Sequence, residues 1–202
     1  MKPMKLWSIQ TRAAWEQLQR EGVLYGTYKY AEPDFIPAYQ WLSQQMLMKL
    51  PPPTRSEAEL PVWAWYQYRD VKKRQPDLRE SSHLPRGTQG VRIKLVKENQ
   101  EVLCSDFDLW HYVLNYWYLP TTLSDGEQFE ALLSQQGLSF HDSKPLPEAK
   151  FHSMIEQSWQ KIFDFSWTNE DIAYPITQKS IQATFWELRL EEVQQVDYFV
   201  AR

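Results

Sequence analysis

The sequence predicts an α+β fold: a mixed, largely antiparallel sheet with helices packed on it. Segments with period-two alternation (residues 62–68 and 91–96) and a short strand-like run at 5–9 are interspersed with segments whose apolar residues recur three and four apart. The two kinds do not alternate regularly, as a parallel βαβ sheet would require, and the chain closes on further strand-like runs at 181–190 and 196–200.

Residues 5–9 read as a first strand. From Thr11, the residues Ala14, Trp15 and Leu18 take up helical spacing until Gly22, which suits the left-handed conformation that ends helices. Asp34 reads as the N-cap of a second helix. In it Phe35, Tyr39, Leu42, Met46 and Leu50 form an apolar stripe, and the run Pro51, Pro52, Pro53 forbids continuation. Residues 62–68 read as a strand carrying Trp63, Trp65 and Tyr66. The charged, turn-rich stretch 69–90 is too long for an inert connection and reads as a binding loop or lid. The alternation of 91–96, a polar turn at 97–100 and the apolar Val102, Leu103 and Cys104 predict a hairpin. Ser105 or Asp106 caps an aromatic helix through Phe107, Trp110, Leu114 and Trp117, stopped before Pro120. Ser124 and Glu127 have the spacing of a capping box for the next helix. Phe151, Ile155, Trp159 and Ile162 mark another, after Pro145 and Pro147.

A chain of 202 residues, 43% of them apolar, is expected to form a single domain over 1–202. The aromatic load, 10 Trp, 11 Tyr and 9 Phe, exceeds what packing alone requires, so some rings are expected to line a recess. A net charge of −4 supplies no global field for phosphates, which argues against a duplex-DNA binder. The single cysteine allows no intramolecular disulfide and no thiolate cluster, and suits a reducing compartment. There is no signal-peptide core and no apolar run of bilayer length, so the expectation is a cytoplasmic protein without a membrane partner.

The sequence holds no phosphate-cradling glycine loop, no nucleophile elbow and no metal-ligand spacing among His83, His111, His141 and His152, so no metal is expected. On a helix, Asp108, His111 and Asn115 share one polar face, where a carboxylate would orient the imidazole and an amide would bind a ligand. An ordinary amphipathic helix has the same spacing. In the closing strand Gln182, Thr184 and Trp186 fall on one face and Phe185 and Glu187 on the other. Gln182 is a candidate if its face lines a pocket, while Glu187 beside Arg189 also suits a surface ion pair. Arg79 and the run Lys72, Lys73, Arg74 offer groups that grip phosphate, and Trp63, Trp65 and Tyr66 offer rings that stack a nicotinamide or nucleobase.

With Leu6-Trp7-Ser8-Ile9-Gln10, Phe35-Ile36-Pro37-Ala38-Tyr39-Gln40-Trp41, Trp63-Ala64-Trp65-Tyr66 and the stretch from Ser105 to Asn115, the chain resembles an uncharacterised bacterial group, domain-of-unknown-function family 3841. The likeness runs nearly to the end, through Ile181 to Leu188. More distantly it resembles ADP-ribosyltransferases, in a short aromatic strand (Leu6 to Ile9), a helix (Trp15 to Leu18) and a glycine-aliphatic exit (Gly22, Val23, Leu24). That second resemblance implies NAD as cofactor and roles by order of the strands. Ser8 or Gln10 would meet the cofactor where those enzymes present His or Arg, and Trp65 or Tyr66 would supply the aromatic position. Gln182 or Glu187 would supply the catalytic one, where a carboxylate steadies the ribosyl cation. With Arg79 on phosphate, the reading is an enzyme that binds NAD or a related nucleotide and cleaves its nicotinamide glycosidic bond. The alternative is a non-catalytic module that holds RNA or a protein partner through 69–90.

Overall fold

The computed structural model describes residues 3–139, 141–142 and 144–202. The chain forms two compact units, Met1–Cys104 with Ile181–Arg202, and Ser105–Ser180.

The first unit contains strands β1 (Met4–Thr11), β2 (Val23–Tyr25), β3 (Val62–Gln67) and β4 (Gln89–Lys97) and helices α1 (Arg12–Glu21) and α2 (Ile36–Lys49). It also holds Leu103 and Cys104 of β5 (Leu103–Asp106), then β6 (Ile181–Phe185), β7 (Glu187–Arg189) and β8 (Val193–Val200). Six strands form one sheet in the order β5-β6-β3-β1-β4-β8, and β2 pairs with β7 in a separate ribbon. The pairings β1 with β3, β1 with β4, β3 with β6, β4 with β8 and β2 with β7 are all antiparallel, as the α+β reading expects.

Alternation decides what each strand shows to either side. Leu6 of β1, Val62 and Ala64 of β3, Val91, Ile93 and Leu95 of β4, and Ala183 and Phe185 of β6 join one core with Trp15 and Leu18 of α1. Thr11 fixes the start of α1, its hydroxyl accepting from the Ala14 amide at 3.2 Å. Gly22 closes the helix at φ 76°, its amide donating to the Leu18 carbonyl. At the far edge the Trp15 indole donates to the Tyr198 hydroxyl at 2.9 Å, which satisfies the one polar atom of a buried ring. Helix α2 buries Trp41, Leu42 and Met46.

Three expectations are corrected. Asp34 does not cap α2. It lies in a 3-10 turn, Pro33–Phe35, and α2 begins without a side-chain cap, Pro37 occupying its first turn. The hairpin expected from 91–104 is absent, because both edges of β4 are filled, by β1 and β8. A 3-10 turn at Asn99–Glu101 instead leads to β5 at the opposite edge of the sheet, beside β6. The closing run is two strands: the chain leaves the six-stranded sheet at Trp186, whose indole donates to the Pro51 carbonyl at 3.2 Å, and β7 joins β2. The stretch 69–90 is tied down, with Tyr68 and Arg69 bonded to Glu80 at 2.8 and 2.7 Å and Arg92 donating to the Pro76 carbonyl.

The second unit contains α3 (Phe107–Leu114), α4 (Leu123–Gln135) and α5 (Ala149–Ser158), the last running into a 3-10 turn, Trp159–Phe163. Asp106 caps α3, accepting from the Asp108 and Leu109 amides. Thr122 rather than Ser124 caps α4, accepting from the Asp125 amide. The cap side chain of α4 thus sits two residues before the one that the capping-box spacing suggests. Leu109, Trp110, Phe129, Phe151, Ile155, Trp159 and Ile162 are buried, and Tyr118 stacks on Phe129 with ring centres 4.2 Å apart. Among the described residues no helix is long and apolar enough to cross a membrane.

Candidate functional site

Gly26 lines a recess in the first unit. It forms an antiparallel bridge with Leu60, and its carbonyl accepts from the amides of Glu59 and Leu60, both at 3.1 Å. A Cβ at this position would lie 2.6 Å from the Leu60 carbonyl oxygen, so only glycine permits the approach. The segment that follows, from Thr27 to Glu32, then runs across from the end of β1 and the first turns of α1. A cleft of about 690 Å³ opens between them, a size that suits a small organic ligand.

One wall is aromatic. Tyr39 of α2 and Trp63 of β3 approach with ring centres 6.0 Å apart at 55°, and Phe35 meets Tyr39 edge-on at 6.3 Å. Tyr30 lines the rim at 76% exposure, with the Lys29 ammonium 5.1 Å from its ring centre. Burial raises the pKa of the Tyr39 phenol, and the Glu32 carboxylate adds to the shift, so this hydroxyl stays protonated.

The opposite wall carries the polar groups. Ser8, fully buried behind the cleft, donates to the Trp63 carbonyl at 2.7 Å and accepts from Gln10 Nε2 at 2.9 Å. This fixes the Gln10 amide and leaves Gln10 Oε1 without a donor among the described residues. Thr27 also lines the cleft, and its Oγ1 is buried with no hydrogen-bond partner among the described residues. Buried polar atoms are nearly always paired, so an unpaired hydroxyl on a residue that lines a recess marks a place for a ligand's polar edge. The chemistry available is a stacking surface, a fixed amide oxygen and a hydroxyl. Among the described residues the cleft places no nucleophile beside a base.

The structure distributes the sequence candidates widely. Gln10 lines this cleft with Ser8 behind it. Trp65, two residues from Trp63 on the same face of β3, does not line this cleft; it is paired with Trp7 and Gln182 and lies edge-on to Tyr68 at 4.9 Å. Tyr66 sits at an irregularity in β3 and lines a second cleft, under the Arg74 guanidinium at 5.1 Å. Arg79 is exposed and held by its near neighbour Asp77, whose carboxyl it keeps well below the usual range. Gln182 Oε1 is buried without a donor among the described residues, outside the Gln10 cleft. Glu187 is buried, and its carboxylate accepts from the Thr54 hydroxyl and from the amides of Thr54 and Arg55. The grouping of Gln10, Tyr66, Arg79 and a late-strand side chain in one cleft is therefore not what the fold builds.

In the second unit, Asp108 and His111 lie on α3 and Asn115 is its C-cap, and the side chains of His111 and Asn115 turn to the helix backbone. His111 Nδ1 lies 3.0 Å from the Phe107 carbonyl oxygen, and Asn115 Nδ2 donates to the His111 carbonyl at 2.8 Å. Burial raises the Asp108 pKa, with the neighbouring Asp106 adding to it, and its carboxylate makes no bond to the imidazole. This is the ordinary outer face of a capped helix. Among the described residues no group of three or more His, Cys, Asp or Glu is placed to hold a metal ion.

Sequence reading missed Thr27, Tyr25 and Tyr30 and placed Tyr39 in a core stripe. The available signal was a glycine and a threonine set among Tyr25, Tyr28 and Tyr30 in a stretch with no helical or strand period. No curated protein and no solved structure matches the chain, so the ADP-ribosyltransferase likeness gains no support from relatives. Residues 5–194 match the family described as Domain of unknown function (DUF3841), and the chain belongs to that family.

Proposed function

We propose that the Gln10 cleft binds a nucleotide or a closely related planar small molecule, NAD among the candidates, and that the protein works by holding this ligand. The observation that carries the reading is the pairing of a Ser8-oriented Gln10 amide with the Tyr39 and Trp63 rings across one recess. A base stacks on such rings while its polar edge donates to Gln10 Oε1 and meets the Thr27 hydroxyl. Lys29 at the rim supplies a cation for a phosphate. Binding is favoured over glycosidic cleavage because Glu187, the carboxylate expected to steady a ribosyl cation, is engaged with Thr54 and does not line the cleft.

The test is calorimetric titration and thermal shift with NAD, ADP and adenosine, with nicotinamide release followed in parallel. The expected outcome is saturable one-to-one binding, weakened at least about tenfold in Trp63→Ala and in Gln10→Ala, as loss of a stacked ring or a buried hydrogen bond predicts. Absence of heat and of any shift with all three ligands overturns the proposal.

A further inference from the structure

We propose that a second cleft, on the other face of the sheet at the start of β1, is a binding site for a small phosphate-type oxyanion. It is independent of the Gln10 cleft. Its volume is about 490 Å³, and Trp7, Tyr66, Lys5, Lys94 and Arg74 line it.

The floor holds an unmet donor. Trp7 is 9% exposed, lines the cleft, and its indole Nε1 is buried with no acceptor among the described residues. A buried N–H left unpaired is destabilising, and its presence in a cleft is accounted for by an acceptor that arrives with a ligand. The walls supply the charge. Lys94 is the cross-strand partner of Trp7, and Lys5 lies two residues before Trp7 on β1. Arg74 is carried in by a turn that Tyr68 and Arg69 close, their amides donating to the Arg74 and Lys73 carbonyls at 3.0 and 3.1 Å, and its guanidinium rests over the Tyr66 ring.

Among the described residues none of Lys5, Arg74 and Lys94 has a carboxylate within ion-pair distance. The carboxylate that lines the cleft, Asp197, is taken by Arg92 at 2.7 Å and by the Gln195 amide at 2.8 Å. In a chain of net charge −4 this cleft gathers three cations outside ion-pair distance of a carboxylate, Lys94 still feeling the field of Asp197, together with one unpaired N–H donor. An oxyanion satisfies both at once, because ammonium, guanidinium and indole N–H groups are all donors and each gains from an anionic acceptor.

The test uses the intact chain at low ionic strength and follows the Trp7 indole signal by NMR, assigned with Trp7→Phe. Sodium pyrophosphate is the probe, with sodium chloride of equal ionic strength as control. The expected result is a saturable shift of that signal whose affinity falls at least about tenfold in the doubly substituted Arg74→Ala, Lys94→Ala chain, which removes charge-assisted donors. Both positions are at the cleft surface, and an unchanged thermal midpoint verifies that this variant folds. Trp63→Ala should leave the pyrophosphate affinity unchanged, which separates failure here from failure at the Gln10 cleft. No Trp7 shift, a shift indifferent to the two charge removals, or binding of a short single-stranded oligonucleotide without binding of pyrophosphate would each overturn the proposal.

Discussion

The Thr54 hydroxyl lies 2.6 and 2.8 Å from the two carboxylate oxygens of Glu187, and the Thr54 and Arg55 amides add bonds at 3.1 Å. Arg189 stands 3.6 Å away. Glu187 thereby ties the segment after the proline run to β7. Since charge-assisted bonds at a buried acceptor are lost or weakened, Glu187→Gln is expected to destabilise the fold by about 1–3 kcal/mol. Ligand affinity at the Gln10 cleft should stay within about twofold. Urea denaturation and the nucleotide titration check both halves. An unchanged midpoint together with loss of a nicotinamide-releasing activity would restore Glu187 to a catalytic role.

Two glycines should respond to alanine in opposite directions. At Gly26 the new Cβ meets the carbonyl oxygen of Leu60 at 2.6 Å and that of Pro61 at 2.9 Å, both backbone atoms that cannot step aside. Gly26→Ala is therefore expected to destabilise by about 1–3 kcal/mol, as overpacking does, and to weaken any ligand of the Gln10 cleft by deforming its lining. Gly126 lies inside α4, and a Cβ there meets only Pro120 side-chain carbons at 3.5 Å or more. Gly126→Ala should raise stability by about 0.5–1 kcal/mol. Thermal melts of the two variants measure the contrast.

Local chemistry explains which elements could be read from the sequence. Helix α1 carries its own boundary signals, a capping hydroxyl at Thr11 and a left-handed glycine at Gly22, and both act within a few residues. Strands β2 and β7 are three residues each, too short to show alternation, and exist because Val23 pairs with Arg189 and Tyr25 with Glu187 across the chain. The candidate site divides in the same way. Gln10 was reached through the ADP-ribosyltransferase likeness, by its place on the first strand. The unpaired Thr27 hydroxyl depends on the distant approach of Leu60 to Gly26, which no local pattern encodes. The Trp7 donor was likewise invisible, since nothing in Leu6-Trp7-Ser8 tells whether an indole N–H finds an acceptor.

Cys104, the single cysteine, packs with its sulfur 3.8 Å from that of Met4, and burial pushes its pKa up to about 12. At pH 8 the thiolate fraction is then on the order of one in ten thousand, and only the thiolate attacks alkylating reagents. Native protein should incorporate no iodoacetamide over an hour at pH 8, and one equivalent after denaturation, by intact mass. Rapid native labelling at pH 8 would contradict the burial of this thiol.

The last prediction concerns Asp106 and Lys179, joined at 2.6 Å with side chains 4% and 1% exposed. Asp106 has a second duty, accepting from the Asp108 and Leu109 amides at 3.0 and 3.3 Å to cap α3. Removing the lysine leaves a buried carboxylate with only the cap to stabilise it, so Lys179→Met should destabilise by about 3–5 kcal/mol. Asp106→Asn keeps an oxygen for the cap but takes the carboxylate from beside a buried ammonium, and should be destabilising as well. With both substituted, neither charge remains and the amide still caps the helix, so the double variant should be markedly more stable than the sum of the single losses predicts. A double-mutant cycle by urea denaturation measures this coupling. Additive losses would mean that the two side chains contribute separately, Asp106 through its cap and Lys179 through packing of its methylene stem.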